Sequence, residues 1–330
     1  MRPTNPSEGY QFARRDLTGT IQPGLEVRHD APSGCGMSWR RRMTNLRVEP
    51  SVFADSGADC RPTPGGLPML ARVPALLIAG MFLLDGQQAV AQDPPAIVAV
   101  FAHADDETSV SPILARYARQ GVQVHMMVAT DGAQGGARTS IPRGSELARA
   151  RAEEARCAAA ALGIPPPILL DFPDAKLGDY LDDAARLPRL TERIHEELQR
   201  LDARALITWG PDGAGHPDHR LVSSIVTQLV RAGAPGVPER VFYASLPAAG
   251  FRIMNRPEPR YLIPQDKYFT ARVAFEETDF DRARQAMACH RTQYSDEVVQ
   301  RIFQTARTVW NGVIRLVPLF PTHAGTDLLR

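Results

Sequence analysis

The sequence predicts an α/β fold, a Rossmann-like, doubly wound and mostly parallel sheet within a single domain. Two observations carry that prediction. From about Ala96, short apolar runs alternate with amphipathic segments of helical length. That order builds a parallel sheet with helices on both faces. After residue 92 neither a linker nor an internal repeat interrupts the alternation, so about 240 residues read as one domain.

The elements follow in order. IVAVFA (97–102) is a short buried strand, and Ser109 to Gln120 has helical spacing. VQVHMMVAT (122–130) is a second strand, ended by DGAQGG. Ser145 is a candidate N-cap for a helix running to Leu162, which Gly163 and Pro165 stop. PPILLDFP (166–173) gives a third strand, Leu187 to Leu201 a third helix and ALITWG (205–210) a fourth strand. Leu221 to Val230 is helical, and VPERVFYAS (237–245) is a strand. Beyond Pro247, RYLIP (260–264) and FTARVAF (269–275) have strand character, while Phe280 to Thr292 and Asp296 to Ala306 have helical character. The stretch from 307 to Arg330 is left unassigned.

Composition narrows the function. The 38 basic and 37 acidic residues leave a formal charge of +1, so nothing favours nucleic acid as a partner. Four cysteines are too few, and too far apart, for a cysteine-rich zinc module or a disulfide scaffold. Cys157 and Cys289 stand alone on helix-like segments and read as buried thiols, with a single bridge between them as the other reading.

The first ninety residues stand apart. Residues 1–68 show neither strand nor helix periodicity and read as disordered or as the product of an overlong gene model. From Met69 come a basic Arg72, an apolar run from Val73 to Leu84, and Ala89-Val90-Ala91 before Gln92. That is the layout of a cleaved signal peptide over 69–91, followed by the mature domain at 92–330. Asp85 sits awkwardly close to the apolar run, and an uncleaved anchor or a buried helix is the other reading. About a dozen apolar residues are too few to span a membrane, which takes about 20. The expectation is therefore a secreted or periplasmic protein with no stable membrane insertion after cleavage.

In open parallel sheets chemistry collects at the carboxyl ends of the strands. AHADDE (102–107) follows the first strand, TDGAQGG the second, Asp171 and Asp174 the third, and GPDGAGHPDH the fourth. The first turn lacks GxGxxG and carries acids where phosphates would sit, which argues against a dinucleotide. His103, Asp106 and a histidine of GHPDH suit Zn²⁺, since catalytic zinc takes three imidazole or carboxylate ligands and leaves a fourth position open. Bound water there becomes a nucleophile near neutral pH. Asp105 is then free to accept its proton, and the second histidine to act on an oxyanion or a leaving amine. The plainer readings are acids favouring the next helix N-terminus and a coincidental His-x-x-His. It is the joint placement on one rim that raises the metal reading above them.

These residues resemble a family. From about Ile97 to Tyr294 the chain is similar to the zinc-dependent deacetylases typified by GlcNAc-phosphatidylinositol de-N-acetylase, the PIG-L or LmbE-like family. The resemblance rests on AHADDE, on Thr130-Asp131-Gly132, on Arg151 and Glu154 with Leu162-Gly163, on GHPDH, and on His290-Arg291-Thr292-Gln293. It implies His103, Asp106 and His219 as ligands of one zinc per chain, or of another divalent transition metal. It implies Asp105 as general base, His216 as the oxyanion or acid group, and Asp218 as the residue orienting a histidine. It aligns Arg151 with an arginine that holds substrate, the other reading being a helix-surface residue paired with Glu154; Asp174 and His290 are placed to reach the substrate or, equally, to be structural. Ala104 stands where the family has proline. Ala214 stands where some sugar-deacetylating members carry tyrosine.

The expected function is metal-dependent removal of an N-acetyl group from an N-acetylglucosamine-type small molecule or glycan. The alternatives are an amidase on a larger acyl or thiol-conjugate amide, and a non-catalytic glycan- or metal-binding protein on the same scaffold.

Overall fold

A computed structural model describes residues 95–253 and 261–330. The expectations for 1–68 and 69–91 lie outside the described residues. The described residues fall within one compact unit, Leu84–Arg330.

The first strand, β1 (Ala96–Phe101), is buried along its whole length. That is what an uninterrupted apolar run means in a sheet covered on both faces. After β1 come α1 (Ser111–Arg119), β2 (Gln123–Thr130), α2 (Ser145–Leu162), β3 (Ile168–Phe172), α3 (Arg186–Leu201) and β4 (Ala203–Trp209). The chain continues through α4 (Pro217–Arg231), β5 (Val241–Ala244), α5 (Ala248–Ile253), β6 (Ala271–Ala274), α6 (Glu277–Cys289), α7 (Asp296–Trp310) and β7 (Val313–Pro318). The sheet order is β3-β2-β1-β4-β5-β7-β6. The first five strands are parallel, and β7 runs antiparallel to both β5 and β6.

Alternation along the strands divides the core in two. Ile97, Ala99 and Phe101 point into the layer that holds Ile113 of α1, Ala155 of α2 and Ala286 of α6. Val98 and Val100 point the other way, onto Ile194 of α3 and Val222, Ile225 and Val226 of α4. The direction of winding reverses between β1 and β4, and a crevice opens there at the carboxyl edge. AHADDE leaves β1 and GPDGAGHPDH leaves β4, so both face that crevice.

Some expectations are corrected. Ser145 is the first helical residue rather than the cap: Gly144 precedes it with φ +115°, a conformation open to glycine, and its carbonyl accepts from the Ala148 amide. The helix expected from Leu221 starts at Pro217, whose fixed φ suits the first helical position. Tyr261–Pro264 forms no strand; Leu262 is 93% exposed, so its apolar pattern has no sheet to pack on. Cys157 is exposed on α2 rather than a buried thiol, and it forms a disulfide with Cys289 across a Cα–Cα distance of 5.7 Å. Among the described residues no helix is long and apolar enough to cross a membrane.

Candidate metal centre

The loop after β1 is folded around Asp106. One of its oxygens, Oδ2, accepts from the backbone amides of Ala102 (3.1 Å) and His103 (2.9 Å). Its other oxygen is thereby aimed across the crevice, 3.1 Å from Nε2 of His219. His219 reaches that point from the first turn of α4, where its Nδ1 lies 2.9 Å from the Gly213 carbonyl. The Trp209 indole stacks on its ring, with centroids 4.8 Å apart.

Two imidazole nitrogens meet here. His103 Nδ1 is 2.9 Å from His219 Nε2. The Gly213 carbonyl requires a proton on Nδ1 of His219, which leaves a lone pair on Nε2. On His103 the far nitrogen, Nε2, faces Asp174 Oδ1 at 3.2 Å and Asp218 Oδ2 at 3.4 Å. Those carboxylates hold a proton on Nε2 and leave the lone pair on Nδ1. Two lone pairs and a carboxylate oxygen thus converge on one point.

The two separations that meet at His219 Nε2, 2.9 Å to His103 and 3.1 Å to Asp106, approach the ~3.3 Å edge of a tetrahedron built on metal–ligand bonds of 2.0–2.1 Å, and the nearer Asp106 oxygen on the His103 side, Oδ2, is 3.7 Å from Nδ1. The three residues fit a metal ion. The electrostatics agree. Although burial acts to lower it, the carboxylates of Asp106, Asp174 and Asp218 push the His103 imidazole up to about 12, so the pocket favours positive charge and a cation would take the lone pair of Nδ1 only in exchange for a proton.

Asp105 sits beside the ligands in a strained backbone, with φ +140° and ψ −9°. A non-glycine residue held there is over-determined by its surroundings, a condition common in active sites. Its Oδ1 accepts from Arg151 Nη2 at 2.9 Å and its Oδ2 from the Tyr294 hydroxyl at 3.1 Å. Burial raises the Asp105 carboxyl to about 6 despite the Arg151 charge, with Asp106 adding to the rise. His216 caps α4, its Nδ1 accepting from the Asp218 amide at 3.2 Å. Its Nε2 therefore carries the proton. Burial, then the neighbouring His103 and His219, lower its pKa, which keeps the ring neutral.

The structure brings His103, Asp106 and His219 together as expected, with Asp105 and His216 alongside. Asp218 orients His103, and its Oδ1 also accepts from the Leu177 amide at 3.1 Å. Three expectations are corrected. Asp174 does not face substrate: it is buried, its Oδ2 accepting from the amides of Gln134 and Gly135 while Oδ1 supports His103. Arg151 is 3% exposed and donates to the Ala104 carbonyl and to Asp105; nor is it paired with Glu154. Gly135 makes room for it, since a Cβ there would lie 2.2 Å from the Arg151 guanidinium. His290 is fully buried, its Nε2 2.7 Å from Glu107, out of reach of a ligand.

Sequence reasoning missed Tyr294 and Trp209. Each is an aromatic residue with no motif of its own, although Tyr294 directly follows the HRTQ motif. That motif is scaffold: Thr292 bonds Glu154 twice, and Gln293 donates to the Gly135 carbonyl.

Residues 98–230 match the family model described as PIG-L: GlcNAc-PI de-N-acetylase. A 1D-myo-inositol 2-acetamido-2-deoxy-alpha-D-glucopyranoside deacetylase of Nakamurella multipartita is 31% identical over 205 residues, 52% of this chain and 68% of that protein. The chain belongs to the PIG-L family. Another PIG-L relative, the protein of the same description from Mycobacterium sp. (strain KMS), is 30% identical over 165 residues, 44% of this chain. That alignment spans about half of the mycobacterial protein, 53% of its length. Among solved structures, the N,N'-diacetylchitobiose deacetylase of Pyrococcus horikoshii superposes with a TM-score of 0.50 at 16% identity, over 69% of this chain and 84% of that one. The A40926 pseudoaglycone deacetylase gives 0.51 at 20% identity, over 67% and 96%. These two are likenesses of fold.

Proposed function

We propose that the chain is a zinc-dependent N-deacetylase acting on an N-acetylglucosamine-type small molecule or glycan. The observation that carries this reading is the convergence of His103, Asp106 and His219 beside a strained, partly exposed carboxylate. Membership of PIG-L supports it, as do relatives described as deacetylases of an acetamido sugar.

His103, Asp106 and His219 would hold the zinc ion, which would supply Lewis acidity and lower the pKa of water at the site. The protein's own groups do the rest. Asp105 takes the proton from the attacking water; its burial, which raises the carboxyl above the ordinary aspartate range, suits a general base. Arg151 and Tyr294 hold its two oxygens, so the carboxylate does not turn toward the cation. His216, neutral and protonated at Nε2, donates to the oxygen that gains charge at the acetyl carbon. The amine then leaves with the proton that Asp105 carries.

The Cys157–Cys289 disulfide supports a setting outside the reducing cytosol, in line with export. We therefore read the substrate as an exported or scavenged amino sugar. The test is acetate release from a panel of N-acetylated amino sugars by the metal-stripped chain, with and without added zinc. Zinc-dependent release is the expected result. Stoichiometric zinc binding with no acetate from any sugar would overturn the reading.

A further inference from the structure

AHADDE ends in an acid that the proposed chemistry does not use. Glu107 is the second residue of the 3₁₀ turn Asp106–Ser109, which Asp105 opens. Its side chain is fully buried, and its Oε1 lies 2.7 Å from Nε2 of an equally buried His290. Facing a carboxylate, that nitrogen carries the proton and donates. Burial acts to lower the pKa of His290, but Glu107 beside it and Asp105 beyond raise it, which favours the charged ring.

For packing alone this pair is a poor choice. The other oxygen of Glu107 and Nδ1 of His290 are buried, with no hydrogen-bond partner among the described residues. Apolar residues of similar volume often fill such a place as well or better. What the pair does supply is a fixed distance between two stretches of chain. One is the loop that holds Asp105 at φ +140°. The other is the turn after α6, where the His290 carbonyl accepts from the Tyr294 amide at 2.9 Å. Tyr294 then reaches back, its hydroxyl 3.1 Å from Asp105 Oδ2.

The contacts thus close a circuit, from Asp105 to Glu107 two positions on, to His290, to Tyr294 and back to Asp105. It is anchored on α2 as well. Glu154 accepts from both the amide and the hydroxyl of Thr292 at 2.7 Å, and Arg151, three residues earlier, donates to the other oxygen of Asp105. The side-chain bonds from Thr108, Ser109 and Ser111 to the carbonyls of Asp105, Asp106 and Glu107 are local. They shape the turn without tying it to the end of α6.

We propose that the Glu107–His290 pair positions Asp105 for its work as a base, by fixing where the Tyr294 hydroxyl stands against it. The inference rests on the deacetylase reading and goes beyond it, adding two positioning residues that touch neither substrate nor reacting atoms.

Three substitutions separate the contact from the volume. Glu107→Asp keeps the charge and withdraws it by one methylene from His290. His290→Leu removes the donor, and His290→Gln returns one where Nε2 stood. Acetate release by the zinc-loaded chain should show kcat on the order of 10-fold lower for Glu107→Asp and for His290→Leu, with KM within about twofold of wild type. His290→Gln should recover most of that loss. In a Tyr294→Phe background Glu107→Asp should cost far less than it does alone, because both act on one carboxylate. A second readout needs no catalysis. In the metal-free chain with labelled histidine, the His290 Nε2 proton is followed by NMR. Tyr294→Phe, a change outside the pair, should shift it, since coupling between two groups runs both ways.

Wild-type kcat in Glu107→Asp and His290→Leu would overturn the proposal and leave the deacetylase reading in place. No acetate from the wild-type chain on any substrate would instead remove that reading. The NMR measurement then decides whether the pair holds the Asp105 carboxylate, and it decides likewise where the pair variants fail to fold. A proton displaced by Tyr294→Phe supports the circuit, and one that stays in place overturns it.

Discussion

Asp105 concentrates the chemistry of the site into one side chain. It is strained, partly exposed and held at both oxygens. Replacing it by Asn keeps the shape and removes the proposed base. Asp105→Asn should retain stoichiometric zinc, by metal analysis, and lower kcat by about two to four orders of magnitude. Tyr294 acts on Asp105 from one side, by donating to its charged form. Tyr294→Phe removes that donor, so the carboxyl should become harder to ionise. The acidic limb of the kcat profile should move to higher pH, with a fall of about 3- to 30-fold near pH 6. A purely structural tyrosine would lower stability without moving the limb. These contacts were hidden in the sequence for a simple reason. Arg151 and Tyr294 lie 46 and 189 positions from Asp105, whereas AHADDE and GHPDH each declare their chemistry within six residues.

At the scale of the element, helix starts decide much of the local order. The α6 N-terminus is closed by a capping box in which Glu276 and Asp279 bond each other's amides. Asp279 also takes both nitrogens of the Arg119 fork at 2.9 Å, tying α6 to the end of α1. Burial pulls the Asp279 carboxyl upward, but Arg119 and the Glu276 amide win and hold it below the usual carboxylate range. A depressed carboxyl contributes stability above its unfolded pKa, near 3.9, and loses it as pH falls through the folded value. Asp279→Asn should therefore cost about 1–2 kcal/mol at pH 7, and the gap to wild type should close below about pH 4 in denaturant titrations. The parallel strands and amphipathic helices were legible because period and burial agree. The C-terminal strand β7 was not, because its run is broken by Arg315 and its partners lie far back in the chain. RYLIP misled in the other direction, since strand-like residues need a neighbouring strand to pair with.

For the whole molecule, the decisive fact is adjacency. Sequence alone placed the two candidate metal-binding loops at strand ends, and sheet order brings those strands side by side. The disulfide adds a second long-range tie, across 132 residues, joining α2 to the end of α6. Both partners lie on stretches that carry a group holding Asp105: Arg151 on α2, and Tyr294 five residues after Cys289. Chain entropy gives such a loop about 5 kcal/mol, and measured bridges deliver roughly 2–5. Cys157→Ser should lower unfolding stability by that amount, and thiol titration of the native chain without reductant should find neither cysteine free.

The same bridge makes a ring of the chain. His219 lies inside the ring and His103 and Asp106 outside it, so the candidate ligand set is drawn from both sides of the closure. A single proteolytic cut anywhere between Cys157 and Cys289 thus yields two pieces that still travel as one band on a denaturing gel. They part only when a thiol is added. A nicked molecule keeps all three ligands in one covalent body for as long as its surroundings stay oxidising.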